Sequence, residues 1–213
     1  AMMTEQKGIP FDLAFAFHTD AGTAQADSTI GTLAIYTLRC DGEREFSDGR
    51  DRIISRLLCD YVQSQVVNDI RSDFNPDWAR RGLWDKSYSE CRTPGIPAMI
   101  LELLSHQNFA DMKYGLDPAF RFDVCRAVYK GILKTLSEYY DCPYMVQPLP
   151  VHAFSATFTG GDKVRLEWRP TEDDKEPTAT SEGYIVYTRK DGGAFNSGVR
   201  TRNTHIELPV DRG

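Results

Sequence analysis

The chain lacks any stretch of about 18 consecutive apolar residues, which excludes a transmembrane helix. Its longest strongly apolar run, Leu13 to Phe17, is only of strand length. An excess of positive charge is also missing: 25 Lys and Arg stand against 31 Asp and Glu, for a formal charge of −6. A nucleic-acid partner therefore has no electrostatic support. The five cysteines, Cys40, Cys59, Cys91, Cys125 and Cys142, form no CxxC spacing. An odd, scattered set argues against both a disulfide framework and a thiolate zinc site. Cys59 and Cys125 fall on the apolar faces of predicted helices and read as buried free thiols. No internal repeat or low-complexity tract is present. The opening Ala1-Met2-Met3-Thr4-Glu5-Gln6 shows no secretion signal, and the lone alanine before two methionines reads as a cloning remnant.

What is present is a globular composition, 41% hydrophobic and 26% charged over 213 residues. That suits one large domain or two small ones. Phe11 to Phe17 reads as a strand buried on both faces, and Ile30 to Leu38 as a second strand. Between Gly49 and Phe74, Ile53, Ile54, Leu57, Leu58, Tyr61, Val62, Val66 and Ile70 recur at helical spacing, and Pro76 closes the run. A loop from Trp78 to Arg92 follows, then a short strand Ala98 to Leu101 that ends on Glu102. Asp117-Pro118 is a helix start signal. The helix it opens runs to Tyr140, with Phe122, Cys125, Val128, Ile132, Leu133 and Leu136 on one face. Strands alternating with long helices predict an α/β domain with a parallel-rich sheet and flanking helices over residues 1–146.

Near Pro143 the period changes to two. Val164 to Trp168, Gly183 to Tyr187 and His205 to Leu208 are separated by turn residues, which predicts a small all-β sandwich over residues 147–213.

Ligands of open α/β sheets gather at the carboxyl ends of strands. His18 and Glu102 stand at two such predicted ends, where an imidazole and a carboxylate suit a metal ligand and a general base. Arg80, Arg81, Arg92, Trp84 and Tyr88 belong to the long loop before the Glu102 strand, a place for substrate contacts.

Phe15-Ala16-Phe17-His18-Thr19-Asp20-Ala21 resembles the strand-end segment of the zinc-dependent N-acetylmuramoyl-L-alanine amidases, where a histidine binds zinc. Pro97-Ala98-Met99-Ile100-Leu101-Glu102 resembles the family's Pro-Ala-apolar-apolar-Glu, whose glutamate is the catalytic base. Asn108 and Asp111 match in spacing, and the closing helix matches in length and position. The resemblance covers roughly residues 9 to 140. It implies that His18 binds Zn²⁺ and that Glu102 takes a proton from a zinc-bound water; Asp20, Asn108 and the loop residue Arg92 are the expected substrate contacts. The implied reaction is hydrolysis of the amide between N-acetylmuramic acid and L-alanine of peptidoglycan, in the periplasm or outside the cell.

The sequence departs from that pattern in three places. The family's other two zinc ligands lie upstream of the His18 segment, whereas the 17 residues before His18 hold no histidine and no Gly-His-Gly. Asp20 replaces an asparagine, and Ser105 beside His106 replaces a phenylalanine. Completion of the site by Asp20 and His106 is chemically allowed. The expectation is an N-terminally truncated or degenerate amidase domain with an incomplete metal site. The second module resembles fibronectin type III through Trp168 and Gly183 to Tyr187, with its last two strands missing. The alternative function is a non-catalytic binder of peptidoglycan or another cell-surface glycan with a degenerate amidase fold. Relatives with this domain pairing carry polysaccharide-lyase labels such as xanthan lyase, although no residue here points to lyase chemistry.

Overall fold

The computed structural model describes residues 10–25 and 27–210. The chain divides into two compact units, Ala1–Tyr144 and Met145–Gly213. The first holds a four-stranded sheet of order β1-β4-β2-β3, made of β1 (Ala14–Asp20), β2 (Thr32–Tyr36), β3 (Arg80–Asp85) and β4 (Ala98–Ser105). β1 runs parallel to β4 and β2 parallel to β3, while β2 and β4 are antiparallel. Two of the three pairings are parallel, as strands alternating with helices predicted.

Side chains alternate across a strand, so each strand sorts its residues onto two faces. Met99, Leu101 and Leu103 of β4 point into the main core with Leu58, Val62, Val66, Ile70, Phe120 and Val124. That core lies between the sheet and two long helices, α1 (Ile53–Asp73) and a C-terminal helix. Ile100 points the other way, into a smaller patch with Leu33, Ile35 and Cys91, against which Ala16 packs. Glu102 is two residues beyond Ile100 and His18 two beyond Ala16, so both belong to this second face. A four-residue helix, α2 (Ser89–Arg92), delivers Cys91 to the same patch. α3 (Phe109–Gly115) and α4 (Pro118–Tyr140) complete the unit.

α4 begins as predicted: Asp117 caps it by accepting from the Ala119 N–H at 2.8 Å, and Pro118 occupies the first turn. Its buried stripe is Phe120, Val124, Ala127, Val128, Gly131 and Thr135. The predicted stripe was rotated. Phe122 is 49% exposed and Cys125 is exposed as well. The buried row is set by the close crossing of α4 over α1, and Phe122 lies about 200° around the helix from Phe120.

Three strand expectations are corrected. β1 is a sheet edge among the described residues, so it is buried on neither side throughout, and Phe17 is 48% exposed. The supposed loop after Trp78 contains β3, an outer strand whose charged sequence is tolerated because it stays half in water. β4 continues through Ser105, which makes Glu102 a mid-strand residue, because one face of β4 at this point is open enough to carry a carboxylate.

The second unit consists of two small antiparallel sheets. β5 (His152–Gly160), β6 (Lys163–Arg169) and β9 (His205–Pro209) form one; β7 (Tyr184–Val186) and β8 (Val199–Thr201) form the other. Trp168 is buried and meets the Tyr184 ring edge-on, centroids 5.2 Å apart. β5 and β8 were not anticipated, and Phe154 and Phe158 of β5 are exposed.

Candidate active site

His18 and Glu102 are register partners on the parallel neighbours β1 and β4. Parallel pairing puts partnered side chains on one face, and here Nδ1 of His18 lies 3.9 Å from Oε1 of Glu102. The histidine is half in water, whereas the Glu102 side chain is only 17% exposed. Its Oε2 is buried with no hydrogen-bond partner. Burial pushes the Glu102 carboxyl above its ordinary value, and the charges of Asp20 and Glu90 act the same way. His18 and Arg81 oppose them. A carboxyl raised in this manner holds its proton more readily than an exposed one, which suits a proton-transfer group.

Asp20 ends β1 and accepts from Arg81 Nη1 at 2.7 Å and from the Ala21 N–H at 2.7 Å. The Arg81 hydrogen bond, chiefly, holds its carboxyl below the ordinary value, against the effect of burial. The guanidinium of Arg81 stands 5.9 Å from the Trp84 ring centroid. Trp84 is the register partner of Ile35, which places it on the same face. A cation and an exposed aromatic ring therefore share the sheet face that carries His18 and Glu102.

The other nitrogen of His18, Nε2, faces Glu90 Oε1 at 3.3 Å. Glu90 was not anticipated. It belongs to a polar segment remote in sequence from both partners, and no local pattern marks it. Cys91, directly after it, is a buried thiol pushed up to about 11 by burial, so it offers no thiolate for nucleophilic attack.

Three expected participants have hydrogen-bond partners of their own. Arg92 donates to the Ser87 carbonyl and hydroxyl, at 3.2 and 2.9 Å. Asn108 is buried, donating to the Ser28 carbonyl at 2.8 Å and accepting from the Ala24 N–H at 3.3 Å. It ties down the segment that follows β1. His106 pairs through Nδ1 with the Thr19 hydroxyl at 3.1 Å, and Thr19 alternates to the opposite side of β1 from His18. Asp20 is committed to Arg81. His18, Asp20 and His106 thus do not converge.

A catalytic zinc takes three protein ligands. Among the described residues no three His, Cys, Asp or Glu side chains are arranged to hold one ion. Glu90 and Glu102 approach opposite nitrogens of one ring, so they cannot both join it on a single metal. The zinc set that the amidase resemblance implies is not met by these residues.

No protein-family model matches the chain, and no curated protein matches it. Solved structures do resemble it. One, from Clostridium difficile 630, is 18% identical with a TM-score of 0.49, covering 64% of this chain and 63% of that one. AmiC2 of Nostoc punctiforme is 15% identical with a TM-score of 0.47, covering 63% and 62%. The catalytic domain of CwlV from Bacillus (Paenibacillus) polymyxa var. colistinus is 17% identical with a TM-score of 0.45, covering 66% and 63%. All three are N-acetylmuramoyl-L-alanine amidases. The chain spans less than two thirds of each, and a likeness this distant assigns no residue a role.

Proposed function

We propose that this chain carries part of the site of an amidase-like hydrolase directed at peptidoglycan, with Glu102 as its proton-transfer carboxylate. The observation that supports this most is the pairing of His18 with Glu102, 3.9 Å apart on one sheet face, in the order and spacing of the amidase motifs. Glu102 takes a proton from an attacking water and returns it to the leaving amine of L-alanine. Its burial favours the protonated form that the second step needs. Arg81 suits a stem-peptide carboxylate and Trp84 a sugar ring. His18 contributes one imidazole toward a metal. No step through zinc is assigned, because the described residues do not complete its ligand set. In this reading the second unit is a fibronectin type III-like spacer, and the protein acts in the periplasm or outside the cell.

A second reading has its own support. The incomplete ligand set and the exposed Trp84 and Tyr88 fit a wall-binding protein that keeps the amidase fold without turnover. Incubating the chain with a muramyl peptide and with insoluble peptidoglycan separates the two. Release of free L-alanine amine that is lost in Glu102→Gln and His18→Ala supports the hydrolase. Co-sedimentation with the wall without any release supports the binder. Neither release nor sedimentation sinks both.

A further inference from the structure

We propose that Glu90 is the positioning residue of His18: its carboxylate, at ion-pair distance from Nε2, draws the ring hydrogen to that nitrogen and so turns the Nδ1 lone pair toward Glu102. A neutral imidazole has one N–H and one lone pair, and the hydrogen-bond partner of one nitrogen decides the state of the other. Both partners here are carboxylates, which accept and do not donate when ionised. The single ring hydrogen goes to the nearer one. Glu90 Oε1 is 3.3 Å from Nε2, whereas Glu102 Oε1 is 3.9 Å from Nδ1, beyond hydrogen-bond reach.

Glu90 is held for this task by its surroundings. Its second oxygen, Oε2, accepts from the Ser89 hydroxyl at 3.0 Å, which fixes the plane of the carboxylate. The next residue, Cys91, is buried in the Leu33–Ile35–Ile100 patch with Sγ 3.4 Å from the Ile35 carbonyl. The Tyr88 carbonyl accepts from the N–H groups of Cys91 and Arg92, at 3.1 and 3.0 Å. Before the turn, Lys86 donates its N–H to Tyr36 O at 2.9 Å and accepts from the Thr37 hydroxyl at 2.5 Å. The segment is anchored on both sides of Glu90, so the carboxylate is brought to the imidazole by the packing of α2 and not by a free loop. With Nε2 turned to Glu90, the Nδ1 lone pair faces Glu102, whose Oε1 is 3.9 Å away and whose Oε2 is buried without a hydrogen-bond partner. A carboxylate behind a working histidine is a recurrent way to fix tautomer and ring orientation.

The consequence for turnover rests on the hydrolase reading, but the tautomer does not. The test is a long-range ¹H–¹⁵N correlation spectrum of the histidine-labelled chain at a pH of about 8, where an ordinary imidazole is neutral. His18→Ala assigns its signals among the four histidines. The expected wild-type pattern is the Nε2–H tautomer, kept in Glu102→Gln and turned to a mixed or Nδ1–H pattern in Glu90→Ala. A wild-type Nδ1–H tautomer overturns the proposal, as does an unchanged pattern in Glu90→Ala. Glu90→Gln keeps an acceptor oxygen and retains the Nε2–H form, which guards against a folding artefact of the alanine. If the tautomer moves while no variant, nor the wild type, cleaves a muramyl peptide, positioning stands and the hydrolase reading fails.

Discussion

Arg81 on β3 and Asp20 on β1 belong to opposite edges of the sheet, yet Nη1 of one donates to Oδ2 of the other at 2.7 Å. The arginine stem reaches across the candidate face, and the pair borders the ground where Glu102 sits. Asp20 is held below its ordinary value of 3.8 chiefly by this bond. A lowered carboxyl contributes stability that is present above the unfolded-state value and is lost as pH falls through the folded-state value. Asp20→Asn is therefore expected to be less stable than the parent by about 1 kcal/mol at neutral pH. The gap closes as pH falls below the ordinary carboxylate value and through the lowered folded-state one. Urea unfolding at several pH values measures it. Equal stability at neutral pH would mean the pair positions side chains without stabilising the fold.

Glu102 has the opposite sign. Its folded-state carboxyl is raised above the ordinary 4.5 by burial, so the fold favours the protonated form. That contribution is complete below the unfolded-state value and is lost as pH rises through the folded-state value. Glu102→Gln carries no charge to bury. Its thermal midpoint is expected to exceed the parent's at neutral pH, with the advantage shrinking as pH falls through the folded-state value and gone below the ordinary 4.5. Under the proposed hydrolase reading, cleavage of a muramyl peptide by the same variant is expected to fall by roughly 10²- to 10⁴-fold. A variant that melts lower than the parent at neutral pH would show that the Glu102 charge is compensated in the fold.

The long helices were legible because 3.6-residue periodicity over five or six turns, with Pro76 and Asp117-Pro118 as punctuation, leaves few alternatives. The pairing of His18 with Glu102 was legible from motif order. β3 was not, because Arg80-Arg81-Gly82-Leu83-Trp84-Asp85 lacks the β-branched alternation of an inner strand, and only its pairing with β2 makes it one. In sequence Glu102 reads as a strand end because a charge after four apolar residues looks like a boundary. A strand with one open face can carry a charge at mid-length. Glu90 had no sequence signal at all: its neighbour Cys91 packs against residues from β2 and β4, and that contact exists only in three dimensions.

Asp111 and Asn108 matched the amidase spacing, and the structure shows them holding the chain. Asp111 is fully buried and accepts from the Ser105 N–H at 2.8 Å and the Ile30 N–H at 2.9 Å. It joins the end of β4 to the approach of β2. Asp111→Ala leaves two backbone donors without partners, at roughly 1–3 kcal/mol each, so a loss of about 3 kcal/mol is expected in urea unfolding. Asn108→Ala is expected to lose about 1–2 kcal/mol by the same reasoning. If Asn108→Ala weakens co-sedimentation with peptidoglycan at unchanged stability, its amide touches the ligand after all.

Gly131 of α4 sits where the helix crosses α1: a Cβ there would fall 2.6 Å from the Cα and 2.9 Å from the N of Val62. A glycine in mid-helix costs about 1 kcal/mol relative to alanine, so Gly131→Ala should stabilise an isolated α4. In the folded protein the added methyl meets backbone, and overpacking costs typically about 1–3 kcal/mol. Because neither contact atom can rotate away, the upper part of that range applies and the net expectation is a loss of about 1–2 kcal/mol. Trimming the neighbour as well, in Gly131→Ala with Val62→Ala, removes Cγ2 at 3.0 Å but leaves the two backbone contacts in place. The double variant should therefore be close to the sum of its parts in urea unfolding, with little relief from the lost Cγ2 contact. Rescue by Val62→Ala would show that the helices are kept close by side-chain fit, and that the main chains have room to spare.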